Sequence, residues 1–360
     1  MERARGMQGR GVEDTNVLGY HPLVSPHDLK RQMPSTEKMH ETVRNARDDI
    51  KRMLRGDDGR ILLVVGPCSI HDVKGAQEYF GRLTELEGKV KDVFRVVARA
   101  YFEKPRTLSF NWRGLVSDPH LDGKGHMNDG YGMARGLLML NAEMGLPSAT
   151  EFLDTSTPQY YDDLIAWAAI GARTVESQLH VQMASGLSMP VGFKNGTSGN
   201  VQAAVNAVIS ARHASFFPGM DPDGQPAVVY TRGNEAHIVL RGSETNGTNY
   251  DKGSVESAQA MLSRAGLEGR LIMIDCSHGN SKKDFTRQPV VFEDVIKQVF
   301  DGNKGIMGLM LESNIKEGKQ DYSQNPDNLE YGKSITDSCI GWETTERIIT
   351  DAHRMLRKKM

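Results

Sequence analysis

The chain is poor in cysteine, in net charge and in long apolar runs. Each lack removes a class of function. Three cysteines in 360 residues, Cys68, Cys276 and Cys339, are too few and too scattered for a disulfide framework, which fits a reducing compartment. A formal net charge of −2 gives no global field for nucleic acid or an anionic membrane, so any anion must be held by local clustering. The longest candidate strand run, Ile61 to Val65, is far too short to span a bilayer, and the first twenty residues hold no apolar signal core. A soluble, cytoplasmic protein with neither nucleic acid nor membrane as partner is expected. There is also no CxxC or HExxH, no internal repeat and no low-complexity linker.

What is present begins at Phe94–Thr107, where an apolar strand runs into charge. Pro105 ends regular pairing there by removing a backbone donor. Arg99, Lys104 and Arg106 crowd that strand end, and Glu103 is the only acid between Arg95 and Asp118. Local pairing cannot neutralise these cations, so an external anion is expected.

Residues 1 to about 34 read as an arm. From Ser35 or Thr36, a capping position, apolar residues Met39, Val43, Ala46, Ile50, Met53 and Leu54 follow helical spacing until Gly56. Eight β-rich runs follow: Ile61–Pro67, Phe94–Tyr101, Ser148–Leu153, Ala169–Val175, Pro190–Lys194, His237–Arg241, Leu271–Cys276 and Ile306–Leu311. Helical segments at about 74–92, 128–145, 157–168, 177–187, 199–212, 254–267, 289–301 and 335–357 alternate with them. Eight β/α units predict an α/β fold of the (β/α)8 barrel type, with residues 1–58 as arm and helix and residues 59–360 as the barrel. The long connection Phe216–Pro226, followed by Val228-Val229-Tyr230, predicts an added β-hairpin at about 213–232 before the sixth barrel strand. It is a candidate for interface or regulation, or a harmless surface insertion.

Catalytic groups of barrel enzymes stand at the C-terminal ends of strands. Here those ends carry Cys68, Arg99 with Lys104, Glu151, Arg173, Lys194, Arg241, His278 and Glu312. Arg99, Lys104, Arg106, Arg173, Lys194 and Arg241 form a set of cations that makes sense with small phosphate esters as ligands. Cys68, His278 and Glu312, with the later acid Asp337, form a mixed sulfur, nitrogen and oxygen set for a divalent first-row metal. Plainer readings exist: Cys68 as a small buried residue, His278 as a satisfied core histidine, and Asp337 as part of a capping box begun by Ser334.

The motifs GPCSIHD (66–72), RAYFEKPRT (99–107), EFLD (151–154), IGARTVESQ (170–178), PVGFKNGTSG (190–199), IVLRG (238–242), IDCSHGNSKKDF (274–285), ESNIKEG (312–318) and YGKSITDSCIGWE (331–343) resemble those of the type I 3-deoxy-D-arabino-heptulosonate 7-phosphate synthases, in the feedback-regulated microbial subfamily with an N-terminal extension. The resemblance implies condensation of phosphoenolpyruvate with erythrose 4-phosphate, the first step of the shikimate pathway, with release of phosphate and one divalent metal ion (Mn, Fe, Co or Zn). It implies Cys68, His278, Glu312 and Asp337 as metal ligands. Arg99, Lys104, Glu151, Arg173, Lys194 and Arg241 would surround phosphoenolpyruvate, Arg106 and Thr107 would hold the aldose phosphate, and Asp337 would lie beside the substrates. Lys104, His278 and Cys68 are the implied catalytic groups, with Lys104 moving the proton. An aromatic amino acid effector, tyrosine favoured over phenylalanine, and a homo-oligomer, dimer or tetramer, are also implied. The rivals are the related octulosonate 8-phosphate synthase and a silent barrel that only binds an aromatic amino acid.

Overall fold

The computed structural model describes residues 12–106 and 111–359. Ten strands occur in chain order: β1 (Ile61–Gly66), β2 (Phe94–Arg99), β3 (Ser148–Glu151), β4 (Ile165–Ile170), β5 (Val191–Lys194), β6 (Ser215–Met220), β7 (Pro226–Thr231), β8 (Ala236–Leu240), β9 (Ile272–Asp275) and β10 (Ile306–Glu312). Eight close into a parallel barrel in the order β1-β10-β9-β8-β5-β4-β3-β2, while β6 and β7 form a separate antiparallel pair. This is the expected (β/α)8 architecture with its hairpin.

The barrel strands are continuous apolar runs because both faces are covered, by side chains inside and by helices outside. That pattern also explains where the sequence reading slipped. The fourth strand is Ile165–Ile170, not Ala169–Val175, and the helix expected at 157–168 shrinks to Pro158–Tyr161 plus the 3-10 turn Asp162–Leu164. All six residues of β4 are fully buried, so no alternation was available to separate strand from helix. The last helix starts at Trp342, not at residue 335. The Ser334 hydroxyl accepts from Thr336 N at 3.1 Å, so Asp337 belongs to a loop and not to a capping box.

Two helices precede the barrel. Helix α1 (Pro26–Gln32) is a short element within the arm, started by Ser25 Oγ accepting from Asp28 N. Helix α2 (Glu37–Arg55) follows the expected pattern: Thr36 caps it, Gly56 ends it at φ +87°, and Met39, Val43, Ala46, Ile50, Met53 and Leu54 are its buried face. That face lies across the N-terminal mouth of the barrel. Arg47 donates to Ile165 O at the start of β4 at 2.9 Å, and Leu54 O accepts from Arg270 N just before β9 at 2.9 Å. Arg135, 1 % exposed, ties the arm down by donating to Met33 O at 3.0 Å and to both oxygens of Asp163 at 2.8 and 2.9 Å.

The hairpin projects outside the barrel, with Phe216 opposite Tyr230 and Pro218 opposite Val228. Phe216, Val228 and Tyr230 are exposed, and the tip meets α1 through His27 N donating to Pro222 O at 2.8 Å. Among the described residues, no helix is long and apolar enough to cross a membrane.

Candidate active site

The closing pair of the barrel sets the first contact. β1 and β10 run in register with Gly66 opposite Glu312, so Cys68, two residues past β1, lies beside the last residue of β10. On the other flank β1 touches β2 so closely that a Cβ on Gly66 would stand 2.6 Å from Arg99 O. Arg99 then spans the gap: its guanidinium donates to Cys68 O at 2.8 Å, to Pro67 O, and to Glu312 Oε1 at 3.0 Å. Both members of that ion pair are 1 % exposed.

Four residues separated by up to 269 positions gather here. Ligand atoms of Cys68, Glu312 and Asp337 lie within 4.8 Å of one another, the only such group among the described residues. His278 Nε2 is 3.6 Å from Glu312 Oε1 and 4.0 Å from Asp337 Oδ2. Cys68 Sγ accepts from Lys104 Nζ at 2.8 Å and from Asp337 N at 3.3 Å. A thiol and two carboxylates this close repel once ionised, and an imidazole lone pair beside them completes a donor set that fits a divalent first-row cation. Burial, with Asp337 and Glu312, pushes the Cys68 thiol up to about 12. Burial works against the charge on Lys104 too, but Cys68, Asp337 and Glu312 outweigh it and hold the ammonium above its ordinary range. Partial loss of solvent would raise Asp337, whose side chain stays exposed, yet Lys104 and His278 keep its carboxyl well below the usual carboxylate range.

The remaining cations ring the same mouth. Lys194 ends β5, Arg241 follows β8, and Arg173 lies three residues past β4, exposed, because that strand stops earlier than its sequence implied. Lys283 lowers the Glu244 carboxyl most, and Arg241 and Arg173 add to it, which places both guanidinia around one acid. Arg106 donates to Trp112 O at 2.8 Å. Thr107 lies outside the described residues. Glu151 ends β3, 8 % exposed, with its carboxylate lying over Gly171, where a side chain would collide with it.

Arg99 and Lys194 are not free cations awaiting ligands, since Glu312 and Asp275 neutralise them from distant strands. Among the described residues, no carboxylate comes within 4.0 Å of Arg106, Arg173 or Arg241. These three are the cations most available to an incoming anion.

Asp275 is the residue that sequence reading missed. Fully buried at the end of β9, it holds Lys194 Nζ and His278 Nδ1, each 2.9 Å from Oδ2. Its Oδ1 accepts from Ser277 N at 3.0 Å and Ser277 Oγ at 2.7 Å. Burial opposes its ionisation, but His278 and Lys194 hold the carboxyl far below its ordinary value. The available signal was an acid three residues before the histidine in Asp275-Cys276-Ser277-His278. His278 itself sits at φ +55°, a left-handed turn that re-aims the ring. Cys276 and Cys339 are buried and free, the latter with Sγ 3.6 Å from Asp337 O.

Fold and site together define a barrel enzyme with a metal-type donor set beside a cationic pocket at the C-terminal mouth. The match of residues 35–350 to the model of the DAHP synthetase I family makes the class specific. The chain belongs to that family. It is 44 % identical over 355 residues to the Tyr-sensitive phospho-2-dehydro-3-deoxyheptonate aldolase of Escherichia coli (strain K12), covering 98 % of this chain and 99 % of that protein. To the Phe-sensitive enzyme of the same organism it is 46 % identical over 338 residues, covering 94 % and 95 %. A solved structure of phospho-2-dehydro-3-deoxyheptonate aldolase from Francisella tularensis SCHU S4 superposes with a TM-score of 0.91 at 43 % identity, covering 95 % of this chain and 99 % of that one.

Proposed function

We propose that the chain condenses phosphoenolpyruvate with D-erythrose 4-phosphate and water, giving 3-deoxy-D-arabino-heptulosonate 7-phosphate and phosphate, the first step of the shikimate pathway, under feedback from an aromatic amino acid. The observation that carries this reading is the cluster of Cys68, Glu312 and Asp337, with His278 beside it, at a mouth ringed by Arg and Lys. Cys68, His278, Glu312 and Asp337 would hold a divalent ion, and manganese, iron, cobalt and zinc all suit such mixed ligands. A bound ion would supply Lewis acidity toward the aldehyde of the sugar phosphate.

The chain's own residues do the rest. Arg99, Lys104, Arg173, Lys194 and Arg241 bind and orient phosphoenolpyruvate, with Glu151 alongside, while Arg106 and Thr107 take the phosphate of the aldose. The enol C3 attacks the aldehyde carbon, water adds at C2 and loses a proton, and phosphate departs as the ketone forms. Lys104, held protonated by Cys68, Asp337 and Glu312 against the cost of its burial, gives its proton to the new hydroxyl.

Tyrosine is the effector we assign, on the wording DCSHGNS (275–281), RQP (287–289) and LMLESNI (309–315). Indifference to millimolar tyrosine in an activity titration would refute it. The arm and helix (1–58) and the hairpin (about 213–232) serve as the regulatory and interface part of a homo-oligomer, a reading supported by the exposed hairpin face and its contact with α1. The main test incubates pure protein with both substrates, after EDTA and again with Mn²⁺. Metal-dependent phosphate release is expected. Its absence would leave a binder of aromatic amino acids, and a preference for arabinose 5-phosphate would point to octulosonate chemistry.

A further inference from the structure

Asp275 Oδ2 faces two partners that belong to different halves of the site. Lys194 arrives from β5 and His278 from the turn after β9, both 2.9 Å away. β8 separates β5 from β9 in the barrel, so the carboxylate bridges across one intervening strand. Its other oxygen is committed to Ser277 N and Oγ, and the residue is fully buried, so no solvent competes for Oδ2. His278 Nδ1 faces two acceptors, Ser277 Oγ at 2.6 Å and Asp275 Oδ2 at 2.9 Å; with the Ser277 hydroxyl donated to Asp275 Oδ1, the imidazole proton sits on Nδ1 and is shared between them, and the Nε2 lone pair faces Glu312 and Asp337.

We infer that Asp275 is a positioning residue that couples the metal site to the phosphoenolpyruvate site through this shared oxygen. The inference rests on the roles given above to His278 and Lys194. When an anionic substrate draws Lys194 toward itself, Oδ2 is left more fully to the His278 Nδ1–H, and the imidazole becomes a better ligand. Metal binding in turn strengthens the Nδ1–H donation and releases Lys194 toward the substrate. Linkage makes the effect reciprocal: each ligand tightens the other by the same factor.

The test is a Co²⁺ titration of the full chain, reading both affinity and the thiolate-to-metal absorbance of Cys68, with and without phosphoenolpyruvate. The wild-type protein is expected to bind Co²⁺ about fivefold or more tighter when phosphoenolpyruvate is present. In Asp275→Asn, whose amide can donate to Nδ1 and so favour the wrong tautomer, Co²⁺ affinity is expected to fall about 10- to 100-fold. The dependence on phosphoenolpyruvate should vanish as well. Lys194→Met provides a second arm that spares the carboxylate: Co²⁺ should bind no more weakly than to wild type, because Oδ2 passes wholly to His278. Unaltered coupling in Asp275→Asn, or weakened Co²⁺ binding in Lys194→Met, overturns the inference while leaving the function intact. Failure of wild-type protein to bind Co²⁺ with a thiolate band would instead sink the metal assignment, and the coupling with it.

Discussion

Acid should loosen this barrel from inside, through His237. The residue is fully buried at the start of β8, with Nε2 accepting from Trp167 Nε1 at 2.9 Å and Nδ1–H donating to Ile238 O at 3.0 Å. Burial lowers its pKa from the ordinary 6.5 to about 4; the Ile238 carbonyl opposes this and Arg212 assists it. The folded state therefore keeps the ring neutral where the unfolded chain takes up a proton. The stabilisation is fully present above pH 6.5 and is lost as pH falls toward 4, at about 1.4 kcal/mol per pH unit, or about 3 kcal/mol across the window. Half-buried His71, also lowered to about 4 by loss of solvent, has the same sign, so two protons contribute to the wild-type slope. In His237→Gln the amide can keep both hydrogen bonds but cannot titrate. Denaturant unfolding followed by tryptophan fluorescence between pH 7 and pH 5 should show the variant losing about 2 kcal/mol less than wild type. Parallel curves for the two proteins would refute the reasoning.

Other outcomes follow from single contacts. Lys104→Met should lower kcat by roughly two orders of magnitude or more while leaving the melting temperature nearly unchanged, and ordinary turnover would remove Lys104 from proton transfer. Gly171→Ala places a methyl group against the Glu151 carboxylate, so KM for phosphoenolpyruvate should rise about tenfold in steady-state assays, and an unchanged KM would exclude Glu151 from that pocket. Arg135→Met strips Asp163 of its bidentate partner and Met33 O of a donor, and should cost about 3 kcal/mol in denaturant unfolding. A loss within experimental error would show that the arm is held elsewhere.

The sequence displayed its barrel because parallel strands covered on both faces leave unbroken apolar runs, and because chemistry-bearing residues stop those runs. Glu151, Lys194 and Glu312 are each the final residue of their strand. The same continuity hid the edges of β4, where Ile165–Ile170 has no polar residue to mark a face, and Arg173 was consequently drawn too near a strand end. Thiol, imidazole and carboxylates were legible singly, whereas their mutual neutralisation was not. Arg99 finds Glu312 213 positions away and Lys194 finds Asp275 81 positions away, pairings that only the assembled sheet creates. Asp275 was overlooked for that reason: its significance depends on a lysine from another strand.

Helix α2 has a consequence for access to the site. The barrel interior is filled by side chains and the apolar face of α2 covers its N-terminal end, so the site is reached only from the C-terminal mouth. Two sugar-sized anions, a water molecule and two departing products must share a single doorway. Arrivals and departures therefore pass the same ring of Arg and Lys.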